Sequence, residues 1–188
     1  MVVACLQLNL GVRRMYQTQM RHSFFAFLVF FAATAGAQDF DFRIRGDTSG
    51  APRGCSARES IRVLNDWFNA FNTADSAKLD QLTAPRFVFS TGRFAPSEAF
   101  FVTRDIGALM RYVRSRAVQH EQMRVQEVKF NRWRSRALQF GPIYFLRSAR
   151  DLGSKPVPGI GKGGVLCGGR LGVLNVGPRP SFDPGPKQ

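Results

Sequence analysis

The 188-residue chain carries 27 Lys and Arg against 13 Asp and Glu, a formal net charge of +14, and has room for one ordinary domain with a full hydrophobic core. Such an excess can attract nucleic acid, anionic lipid or an acidic partner. Here the basic residues recur between positions 43 and 187 without one dominant block, the pattern of charges spread over solvent-facing positions. Two histidines and three cysteines, with no His near Cys55 or Cys167, argue against a zinc centre.

The first feature in chain order is Met20-Arg-His-Ser-Phe-Phe-Ala-Phe-Leu-Val-Phe-Phe-Ala-Ala-Thr-Ala-Gly-Ala. Arg21 gives a positive n-region, Phe24 to Ala33 an apolar h-region, and Ala35-Gly36-Ala37 a small-x-small cleavage site. Residues 1–37 therefore read as a signal peptide, with Met20 the start that gives it conventional length, and the mature chain as periplasmic or secreted from Gln38 onward. The apolar run is shorter than the roughly 20 residues a membrane helix needs, so no span is expected in the mature protein. Loss of Arg13, Arg14 and Arg21 with the leader leaves +11 of the +14. It also leaves Cys55 and Cys167 as an even pair in an oxidising compartment, where a disulfide is favoured over two free thiols.

Residues 38–55 mix Asp, Arg, Gly, Ser and Pro and read as a flexible linker. Ser56 with Glu59 forms a capping box, and Ile61, Leu64, Phe68 and Phe71, widened by Trp67, make the stripe of an amphipathic helix. Asp75 or Ser76 opens a short second helix bearing Leu79 and Leu82, which Pro85 stops. Phe87-Val88-Phe89 is a strand running into a Thr91-Gly92 turn. A third helix over about 104–119 buries Ile106, Leu109, Met110 and Val113.

The remainder is β-like. Met123 and Val125 alternate, then Val128 and Phe130 on a shifted phase, which predicts a bulge near Gln126-Glu127. Leu138, Phe140, Tyr144 and Leu146 read as one face of the next strand, with an irregularity or edge at Pro142. Gly168-Gly169 marks a two-residue hairpin turn before Leu171 to Val176. The tail, 177–188, carries Pro178, Pro180, Pro184 and Pro186 and reads as disordered.

Helix, short helix, strand, helix and a run of strands is an α+β order. The segment opening Ser56-Ala-Arg-Glu and closing Pro85-Arg-Phe-Val-Phe resembles the start of nuclear transport factor 2-like domains. There an amphipathic helix, a small-residue-Asp step, a short Leu-bearing helix and Pro-x-Phe entering a strand follow in the same order. The resemblance extends through 56–176. It implies a cone: a curved antiparallel sheet wrapped around helices, with a pocket at the wide end. It also implies either a polyketide-cyclase- or ketosteroid-isomerase-like enzyme or a non-catalytic binding protein.

Enzymes of that superfamily need an acid–base group and a Tyr donor inside the cone, for which Tyr144, Asp66, His120, Tyr112 and Asn175 are the candidates. Each has a plainer reading: Asp66 as solvent-facing, Tyr144 as core with a satisfied hydroxyl, His120 as a dipole-matched helix end. The aromatic set Trp67, Phe71, Phe87, Phe89, Phe140 and Tyr144 would line or close the cone and suits a small hydrophobic ligand. The letters Gly159-x-Gly161-x-x-Gly164 match a dinucleotide fingerprint, but a strand follows instead of a helix, and Lys162 is not followed by Ser or Thr as in a P-loop. That run reads as a flexible loop, and no cofactor or metal is expected. Arg124, Lys129, Arg132, Arg134 and Arg136 read as a solvated edge that blocks aggregation, preferred over nucleic-acid or other anionic-polymer contact. A binding protein for a small hydrophobic molecule or a partner, possible as a homodimer, is the reading carried forward, with a small-molecule enzyme as its rival.

Overall fold

The computed structural model describes residues 40–186. The signal segment lies outside the described residues. The elements in order are β1 (Arg43–Gly46), α1 (Ala57–Asn72), α2 (Ser76–Leu82), β2 (Thr83–Thr91), β3 (Phe101–Thr103), α3 (Ile106–Val118), β4 (Gln122–Arg134), β5 (Ala137–Ser148), a 3-10 turn (Arg150–Leu152), β6 (Val157–Leu166) and β7 (Arg170–Pro178).

Helix starts follow from side-chain oxygens that satisfy the free N–H groups of the first turn. Ser56 Oγ accepts from the Glu59 N–H at 3.3 Å, Asp75 from Lys78 at 2.9 Å and Asp105 from Ala108 at 2.5 Å. The stripe of α1 is buried as its spacing predicts, with Leu64 and Trp67 fully enclosed. On α3, Leu109, Met110 and Val113 are buried, whereas Ile106 lies at the exposed start.

The seven strands form one curved, unclosed sheet in the order β1-β4-β5-β6-β7-β2-β3. Most neighbours are antiparallel, but β1 with β4 and β2 with β7 run parallel, so the sheet is mixed. The α+β cone expected from the sequence is the fold observed. The inner face and the helices share a core that includes Trp67, Phe68, Phe71, Phe89, Val128, Phe130, Leu138, Phe140, Phe145 and Leu174.

Several local expectations are corrected. Part of the 38–55 linker is β1, registered on Glu127–Phe130, and this pairing also removes β4 from the sheet edge. The Gly159–Gly164 run is the middle of β6, not a loop. Its glycines serve packing: a Cβ on Gly159 would overlap the Phe145 ring, and one on Gly163 the Phe140 ring. The hairpin turn between β6 and β7 has three residues, Cys167, Gly168 and Gly169, the two glycines at φ +97° and +76° where L side chains are strained. The tail, read as disordered, makes defined contacts through residue 185. The Arg179 N–H donates to the Pro158 carbonyl at 3.0 Å, and the Gly185 N–H to Asp183 Oδ1 at 2.7 Å. Prolines that exclude helix and sheet also fix φ, which lowers the entropy cost of ordering such a tail.

The largest correction concerns β5. The Val125/Glu127 bulge stands where the sequence places it, but a second slip occurs at the cis Gly141-Pro142 peptide, between Phe140 and Ile143. A one-residue slip exchanges the two faces of a strand. Leu138 and Phe140 point inward before it, and Ile143, Phe145 and Arg147 after it. Tyr144 and Leu146 therefore face the outside of the sheet.

Candidate functional site

The three catalytic candidates do not meet. Tyr144 lies on the outer face, where its hydroxyl donates to Asp183 Oδ1 at 3.2 Å; burial and then the Asp183 charge raise its pKa. Asp66 sits on the solvent side of α1, which packs on the inner face, with Lys78 Nζ 4.0 Å away. His120 occupies the left-handed turn that closes α3, at φ 52°. Asn175 is also on the outer face, accepting from Ser90 Oγ at 2.5 Å.

Of the proposed ligand-lining aromatics, Trp67, Phe71 and Phe89 are tightly packed core. Trp67 stacks on Phe71 at 5.6 Å and tilts against Phe89 at 5.8 Å, and its indole N–H has no acceptor among the described residues. Phe140 is edge-on to Phe130 on the inner face and is only 2% exposed. These rings hold the fold together, and Phe140 also borders the groove on the outer face of β5, β6 and β7.

A buried cluster of charged side chains gathers instead around Arg147 of β5. Arg147, 1% exposed, sends Nε to Glu121 Oε1 at 2.9 Å and Nη2 to Glu121 Oε2 at 2.7 Å. Its outward edge grips Glu98 as a fork, Nη1 to Oε2 at 3.0 Å and Nη2 to Oε1 at 2.6 Å. Nη2 also donates to the Tyr112 hydroxyl at 3.3 Å, and the Phe94 ring lies 4.4 Å from the guanidinium carbon. Glu121 further accepts from Arg116 Nε, whose Nη1 and Nη2 hold Asp151 at 2.7 and 2.8 Å. Tyr112 stacks on Phe101 with centroids 4.7 Å apart, and burial pushes its pKa up to about 12, with Arg147 opposing. A neutral phenol locked beside paired charges can donate and accept hydrogen bonds but is not poised as a base. The Asp151 carboxyl is held below its ordinary range, chiefly by the Arg116 hydrogen bonds.

Sequence reasoning named only Tyr112 of this cluster. The signal for Arg147 was its alternation with Ile143 and Phe145, visible once the slip at Pro142 is applied. Glu98 lies in the irregular 92–100 segment and has no periodicity to announce it.

A concavity lies on the outer face of β5, β6 and β7. It encloses about 640 Å³ and is lined mainly by Gln139, Pro142, Ile160, Lys162, Val173 and Asn175. The basic residues Arg124, Lys129, Arg132, Arg134 and Arg136 are exposed, yet Glu127 stands among them and takes Arg45 Nε at 2.9 Å. The stripe is thus interrupted by a carboxylate. No helix among the described residues is long and apolar enough to cross a membrane.

No family model and no curated protein matches the chain. Solved structures do. The orange carotenoid protein of Anabaena (Nostoc) sp., determined with canthaxanthin bound, aligns with a TM-score of 0.51 at 11% identity, covering 74% of this chain and 38% of that one. OCP1 of Fremyella diplosiphon aligns with a TM-score of 0.52 at 12% identity, over 72% and 36%. A protein of unknown function with a cystatin-like fold from Methylobium petroleophilum gives 0.51 at 12%, over 71% and 84%. The chain spans little more than a third of the length of the two carotenoid-protein chains it matches. The class these likenesses define is a fold, the cystatin-like α+β fold.

Proposed function

We propose that the protein is exported and binds a small hydrophobic molecule without transforming it, in the groove on the outer face of β5, β6 and β7. The observation that carries this reading is the groove's chemistry. It is concave and of ligand size, its floor is Ile160, Val173 and bare glycine backbone, and a few polar groups, Gln139, Lys162 and Asn175, stand on it. Small-molecule sites have this makeup. The scatter of Tyr144, Asp66 and His120 over different faces favours binding over catalysis. The orange carotenoid protein, which shares this fold over little more than a third of its length, binds canthaxanthin, and this supports an apolar ligand as the reading. The Cys55–Cys167 disulfide supports export, because such bonds persist in oxidising compartments.

Native mass spectrometry of protein recovered from its own exported fraction should find a co-purified apolar molecule, and the chain should begin at Gln38. Val173→Trp, which fills the groove, should weaken binding of that molecule at least tenfold with an unchanged circular-dichroism spectrum. Equal binding by the variant removes the groove from the site. Met20 retained on exported protein overturns the processing.

A further inference from the structure

We infer that Arg147 is the anchor of a second, self-occupied site for an aromatic carboxylate, which Phe94 and Glu98 fill from within the chain. The buried guanidinium has two edges with different kinds of partner. One edge is held by Glu121, which is fixed at the start of β4 and shared with Arg116. The other edge, Nη1 and Nη2, is held by Glu98, whose side chain is 7% exposed although most of its neighbours are in solvent. Without Glu98 the guanidinium keeps Glu121 on one edge, but its buried Nη1 loses its acceptor, which costs free energy and favours a carboxylate on the outward fork.

Its supplier is a surface segment. Residues 92–100 have no helix or strand, and Arg93, Pro96, Ser97, Ala99 and Phe100 are exposed. Only Phe94 and Glu98 among its long side chains dip inward. The segment's own hydrogen bonds are internal: the Phe94 N–H donates to Glu98 Oε2 at 2.9 Å and the Glu98 N–H to the Ala95 carbonyl at 3.0 Å. Its backbone is tied to the sheet at Gly92, whose N–H donates to the Val176 carbonyl at 2.8 Å. Lifting the segment from Arg147 breaks the Glu98 fork and the two contacts of the Phe94 ring, with the guanidinium and with Phe145, and no strand pairing.

What it would vacate defines the ligand. The Phe94 ring lies 4.4 Å above the guanidinium and 6.1 Å from Phe145, and the Glu98 carboxylate lies on the fork beside it. One molecule carrying a ring and a carboxylate a short flexible link apart reproduces both contacts. Such a molecule also restores the charge that Glu98 removes on leaving. Tyr112, which already accepts from Nη2, completes the polar wall.

The test uses 3-phenylpropanoate with the full chain, its Phe94→Ala/Glu98→Ala variant and Glu98→Ala alone, followed by calorimetry and thermal melting. The double variant should bind 3-phenylpropanoate at least tenfold more tightly than the unmodified protein and melt higher in its presence. Neither 3-phenylpropan-1-ol, which lacks the charge, nor acetate, which lacks the ring, should match it. Binding no tighter than in the unmodified protein, or equal binding of the alcohol, overturns the site; equal binding of acetate overturns its aromatic half. Should the double variant not fold, Glu98→Ala retains Phe94, and its lowered melting temperature should recover with added acetate, because the fork again finds an anion. A melting temperature that acetate does not move overturns the assignment.

Discussion

Replacing Cys55 and Cys167 together by Ser should lower the unfolding free energy by up to about 5 kcal/mol, a large part of the 5–15 kcal/mol that domains of this size possess. The Cα atoms are 5.1 Å apart, inside the ordinary disulfide range, and the bonded residues are 112 positions apart in sequence. A crosslink over so long a loop removes many conformations from the unfolded chain. It also joins the two layers directly: Cys55 precedes the cap of α1, and Cys167 lies in the β6–β7 turn. Urea unfolding of the double Ser variant beside the oxidised protein measures the difference. A loss below about 1 kcal/mol shows that the bond adds little to a core already closed by the sheet.

Arg147→Met should be the costliest single substitution in the polar cluster, at about 3–5 kcal/mol. Met fills much of the same volume, so the loss is chiefly electrostatic: Glu98 loses its fork, and Glu121 keeps only Arg116. Adding Glu98→Gln and Glu121→Gln, which removes the unpaired buried charges, should recover part of the loss. Denaturant unfolding of the single and triple variants measures both effects. No recovery in the triple variant shows that packing rather than charge dominates at position 147.

The helical layer was legible because its determinants are local. Ser56, Asp75 and Asp105 stand where caps are needed, and the α1 stripe from Ile61 to Phe71 keeps one period throughout. The early bulge on β4 was legible because Val125 and Val128 break phase in plain view. The β5 slip was not. Pro142 announced an irregularity, but nothing local says whether a chain crosses such a point in phase or out of it. That single bit decides whether Tyr144 or Arg147 faces the core. The site was lost with it, since a charged residue on a strand reads as solvent-facing until its carboxylate partners, here 26 and 49 residues away, are known. The β6 glycines misled for a related reason. Three bare positions on one face read as looseness, and their purpose appears only when the Phe145 ring is seen against Gly159, the Phe140 ring against Gly163 and the β7 backbone and Val176 against Gly161.

The Cys55–Cys167 bond makes everything from the cap of α1 to the end of β6 a closed covalent ring, with only β1, β7 and the two ends of the chain outside it. A protease that cuts the exposed 92–100 segment opens the ring without dividing the molecule, and the halves stay joined through the sulfurs. Such a clipped chain would keep its sheet pairings and its mass apart from one added water. The cut would show as two fragments only after reduction.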